Sequence, residues 1–157
     1  LGDTGKVLGA LALLVSLVLM VIGYRGAAFV NVWYPPSFMV HINNLLMLVA
    51  FFVFGLSATT GSLRGKLRHP QLLAVKIWAV AHLLVNGDLA ALILFGGLLL
   101  WAVAEVVGIN RSEAWVRPEP GPAKKDILLV VITLVLYFVM TWIHAWLGVW
   151  PFPGGMA

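Results

Sequence analysis

Apolar runs long enough to cross a bilayer leave this chain few ways to fold. Stretches at about 6–24, 38–58, 88–108 and 127–148 hold almost no charge, and a helix needs roughly 20 apolar residues to span the hydrocarbon core. A fifth run, about 71–86, is shorter and carries Lys76. Main-chain amides cannot be left unpaired in hydrocarbon, so runs of this kind fold as helices. Pro70 suits a helix first turn, and Asn86-Gly87 a tight turn into the next run. The expected fold is all-α, an integral membrane helical bundle of five transmembrane helices in a single domain over residues 1–157. A re-entrant third run is the alternative.

Composition narrows the function classes. Apolar residues make up 62% of the chain and charged ones only 10%, which is not the make-up of an ordinary soluble domain. With no cysteine there is no disulfide, thiolate metal site or cysteine nucleophile. The net charge of +4 sits in short loops between apolar runs, which is a topology signal, so no nucleic-acid partner is expected. Lys6, Arg64, Lys66, Arg68, Arg111, Arg117, Lys124 and Lys125 fall on one side of a five-span arrangement, and Arg25 alone on the other. The positive-inside rule then makes loops 59–70 and 109–126 and the N-terminus cytoplasmic, with the C-terminal segment 151–157 outside. Tyr24, Trp33, Tyr34, Trp146 and Trp150 suit the outer interface.

Polar residues at membrane depth cost several kcal/mol unless partnered, and so they mark candidate sites. His41, His82 and His144 fall at a similar level in the outer third of the bilayer. Val75, Trp78, His82 and Asn86 form one helical stripe, and Thr133, Tyr137, Thr141 and His144 another. His41 shares its face with Asn44 and Leu45. Facing histidines on different helices can hold a heme between them. The simpler role for each is a hydrogen bond to a neighbouring helix. No HExxH or ExxH pair is present, which argues against catalytic zinc or a di-iron site. His69, at the other end of its span, is expected to pair with Glu105, and Asp88 to cap the fourth helix. Lys76 is placed to snorkel. No Ser-His-Asp set, phosphate-binding glycine loop or paired carboxylates can be assembled.

The segment Arg68-His69-Pro70-Gln71, Trp78, Ala81-His82-Leu83-Leu84 and Asn86-Gly87-Asp88 resembles the NnrU family of bacterial membrane proteins. Gly23-Tyr24-Arg25 and Trp33-Tyr34-Pro35-Pro36 are similar as well. The resemblance covers nearly the whole chain. It extends to the zeta-carotene isomerases, which carry a comparable segment and bind heme b through histidine. It therefore implies heme b here, with His82 as an axial ligand of the iron and a less defined role for His69. His41 or His144 is the candidate second ligand, proposed from depth and helix face alone. The resemblance also implies a further histidine-bearing apolar helix ahead of Leu1, expected to be missing from this sequence, which would carry the second ligand if neither does. Its location is expected to be the bacterial inner membrane.

Function beyond that divides. A heme b protein of the NnrU type would serve denitrification and nitrogen-oxide metabolism, or the cis–trans isomerisation of a hydrophobic polyene. The alternative is a non-enzymatic accessory or assembly subunit of a larger respiratory or photosynthetic membrane complex, or a homo-oligomer. A transporter would want midplane charges in matched broken helices, and only Lys76 approaches that.

Overall fold

The computed structural model describes residues 2–153. These form five α-helices and, among the described residues, no strand: α1 (Gly2–Gly26), α2 (Met39–Gly55), α3 (Pro70–Val85), α4 (Leu89–Ser112) and α5 (Lys124–Trp146). Each expected run is a helix, with ends within a few residues of those expected. The segment Gly154–Ala157, expected outside, lies beyond the described residues. Helices α1, α4 and α5, of 25, 24 and 23 residues, are long and apolar enough to cross a membrane. Helices α2 and α3 have 17 and 16 residues. At about 1.5 Å per residue they reach roughly 25 Å, short of the ~30 Å hydrocarbon core.

Local chemistry sets the α3–α4 hairpin. Pro70 occupies the first turn of α3, where its missing N–H costs nothing. Asp88 caps α4, its carboxylate accepting from the Ala91 amide at 2.9 Å. The connection from α1 to α2 is pinned to this turn through the main chain. The Val32 and Trp33 amides donate to the Gly87 carbonyl at 2.8 and 3.1 Å, and the Leu89 amide donates to the Val30 carbonyl at 2.8 Å. A side chain at residue 87 would run into the Trp33 carbonyl, so the close approach requires glycine.

Small residues draw the helices together. Ala74, Ala79, Ala81, Ala91 and Ala102 are buried, and they let α3 approach its neighbours closely. Helix α2 packs on both α3 and α5, α3 packs on α4, and α1 touches only α4. No pair of α-carbons from α3 and α5 lies within 8 Å. No residue of α1 is fully buried: Tyr24 is half-buried, and the leucines and valines of the helix face outward. Outward apolar side chains suit a lipid solvent.

At the opposite end the loops before α3 and before α5 knit together. The Ser62 hydroxyl and amide both donate to the Asp126 carboxylate, and the Gly121 amide donates to the Gly61 carbonyl. Arg117 Nε donates to the Gly65 carbonyl at 3.0 Å, and Arg68 Nη2 to the Glu113 carbonyl at 2.7 Å. The basic loops thus share one end of the bundle, as the charge pattern requires.

Gly87→Ala is expected to lower stability by about 1–3 kcal/mol through backbone overpacking, and Asp88→Ala by about 1 kcal/mol through loss of the cap. Thermal unfolding in one detergent, read by helical circular dichroism, checks both the sign and the order.

Candidate functional site

Two of the three outer histidines meet. The His82 and His144 rings lie 6.5 Å apart between centroids, across the gap that separates α3 from α5. His82 Nδ1 is 2.9 Å from the Trp78 carbonyl, and His144 Nδ1 is 2.8 Å from the Met140 carbonyl. A carbonyl can only accept, so each neutral imidazole carries its proton on Nδ1. That leaves Nε2 of both rings with a free lone pair. Metal-binding histidines are held in the same way, with the second nitrogen donating to a carbonyl or carboxylate.

Aromatic side chains wall His82 on one side. Phe95 stacks on His82 at 4.7 Å, and Trp78 lies 5.1 Å from it. Trp78 also meets Phe95 edge-on at 5.0 Å, and Tyr24 from α1 meets Phe95 at 6.2 Å. Phe95 is buried against Ala79 and Ala91, so the wall is part of the packed core. The histidines themselves are only half-buried.

The other expected residues fall elsewhere. His41 is exposed near the start of α2 and does not join the ring cluster. His69 stands at the basic end of the bundle, where Nε2 lies 2.9 Å from Asn110 Oδ1. Its partner is therefore Asn110, one and a half turns beyond the expected Glu105, which is exposed on α4. The α3 stripe holds: Asn86 Nδ2 donates to the His82 carbonyl at 2.8 Å. The α5 hydroxyls satisfy themselves locally, Thr133 on the Leu129 carbonyl and Thr141 on the Phe138 carbonyl.

Two residues were not anticipated. Phe95 carries no contrast within an apolar span. Asn43 is buried, and its Nδ2 donates to Asn44 Oδ1 while its own Oδ1 has no partner. The adjacent asparagines in an apolar run were the available signal for it. Among the described residues no group of three or more His, Asp or Glu side chains could hold a metal ion.

An apolar helical chain with three helices able to cross a membrane and its basic loops clustered at one end is the pattern of a membrane protein. The sequence matches the family model described as NnrU protein over residues 1–151, and the chain belongs to the NnrU family. Searches of the curated proteins and of the solved structures return no match.

The cysteine-free chain permits a direct test of the pairing. The double variant His82→Cys with His144→Cys is expected to crosslink with a short bismaleimide. It should form no disulfide on oxidation, because the α-carbons exceed 8 Å and a disulfide requires less than about 7 Å. Cleavage in the loop between α4 and α5, followed by denaturing electrophoresis, reads both results.

Proposed function

We propose that this chain is a multi-pass membrane protein that binds heme b between His82 and His144. The observation that supports it is the imidazole pair at 6.5 Å, with both Nδ1 atoms held on main-chain carbonyls. Two imidazoles on one metal ion, each with a metal–nitrogen distance of ~2 Å, have ring centres roughly 6 Å apart. The donor set fits heme iron: two neutral nitrogens with fixed tautomers, no thiolate in the chain, and helices that stand apart at this level. Bound there, the group would supply one-electron chemistry, and His82 and His144 would hold it.

The protein's own residues do the rest. The Trp78 and Met140 carbonyls fix the ligand nitrogens and raise their basicity. Phe95 and Trp78 keep one side of His82 apolar, with Tyr24 behind Phe95. The half-buried rings leave the other side open to ligands that enter from lipid. A diatomic nitrogen oxide and a hydrophobic polyene both meet that condition, and neither asks the protein for an acid–base pair. Helices α2 and α3, extended by the turns that flank them, complete five spans. The basic end is cytoplasmic, in a bacterial inner membrane. A second reading, an accessory subunit of a larger membrane complex, draws support from α1, which meets the rest of the chain mainly through Tyr24 and leaves its other apolar side chains exposed.

A reduced-minus-oxidised absorption spectrum of the purified protein tests the proposal. We expect heme b bands in the parent, lost or shifted in His82→Ala and in His144→Ala, and unchanged in His41→Ala. A colourless chain from heme-supplied cells would overturn the proposal and turn attention to partners retained through detergent extraction.

A further inference from the structure

The segment Arg68–Gln71 has no part in the histidine pair, yet it lines a cavity of about 380 Å³ at the basic end of the bundle. Arg64, Arg68 and His69 contribute to its wall, and no carboxylate does. A second cavity of about 370 Å³ shares Arg64 and Pro118 with it and adds Lys66 and Arg117, against one acid, Glu119. These charges are not neutralised within the chain: the only ion pair among the described residues is Lys6–Asp3 on α1. The nearby Asp126 is committed to Ser62.

Two of the arginines are held in place by main-chain carbonyls and not by acids. Arg68 uses Nη2 alone, on the Ile109 and Glu113 carbonyls at 3.4 and 2.7 Å. Arg117 uses Nε alone, on the Gly65 carbonyl. A guanidinium has five N–H donors, so each keeps several for an anion, already oriented. The start of α3 adds to the field, since His69 gives it no side-chain cap. Leu67, Leu72, Ile109 and Trp115 line the same cavity, so cationic and apolar groups share one cleft.

We propose that this cleft binds the phosphate headgroup of an anionic phospholipid, with Arg64 and Arg68 on the phosphate and the apolar wall against the upper acyl chain. Basic pockets between helices, at the level where headgroups lie, have the chemistry for this. The apolar wall favours a lipid over a soluble phosphate ester carrying the same anionic group.

The test uses the full chain in a neutral detergent, with phosphatidylglycerol and the zwitterionic phosphatidylcholine as probes and native mass spectrometry as the readout. Phosphatidylglycerol should bind more tightly than phosphatidylcholine. Arg64→Gln, at an exposed residue, should weaken it about fivefold, the weight of one basic residue at an anionic surface. Lys124→Gln, at a residue that lines neither cavity, removes the same charge and should change binding less than about twofold. Equal losses in the two variants, or no preference between the lipids, would overturn the site. Displacement of the lipid by glycerol phosphate at equal concentration would overturn the lipid assignment and give the cleft to a soluble phosphate ester.

Discussion

Three main-chain hydrogen bonds at the α3–α4 turn fix the arrangement on which the rest depends. The Gly87 carbonyl takes the amides of Val32 and Trp33, and the Val30 carbonyl takes the amide of Leu89. Lipid supplies no hydrophobic force to press helices together, so directional bonds and close contacts must set their relative depth. Here the bonds tie the α1–α2 connection to the hairpin. Tyr24 can then reach Phe95, and Phe95 in turn backs His82. A shift of one residue in that turn would move His82 round its helix and off the level of His144.

The two ends of the bundle handle polarity by different means. At the hairpin end the imidazoles are controlled by carbonyls one turn earlier on their own helices, which settles the tautomer without any contribution from a neighbouring helix. At the basic end the arginines reach across to carbonyls of other segments, so the same bonds that orient them also hold the loops together. Gly65 contributes there with a positive φ of 70°, a backbone conformation that glycine adopts freely and other residues rarely do.

Helix existence and approximate bounds were legible because apolar run length, Pro70 and Asp88 are local signals. The approach of His82 and His144 agrees with their similar count from the turns. The choice between His41 and His144 was not legible, because it turns on helix azimuth and on which helices become neighbours. Helix α2 packs on both α3 and α5, yet His41 sits on its exposed face. The His69–Glu105 pairing failed for a related reason. Counting back from the turn gives depth, but the partner is decided by which α4 residue faces the start of α3, and that residue is Asn110. The shortness of α3 was legible from its run, whereas that of α2 was hidden by Leu56 and Ala58, which continue its apolar run into a turn where the chain is no longer helical.

The histidine pair makes a demand that its own chemistry cannot meet. With both Nδ1 protons committed to carbonyls, each neutral ring offers only an acceptor at Nε2. Two acceptors cannot bond each other, and brought to one level they repel. Such a pair can take an O–H or N–H donor such as water, a proton, which would place a net charge at membrane depth, or a metal ion. The charge of a lone imidazolium is costly in hydrocarbon without a carboxylate beside it. Helices α3 and α5 make no close backbone approach of their own and both pack on α2, so the spacing between the two rings is set through that shared neighbour.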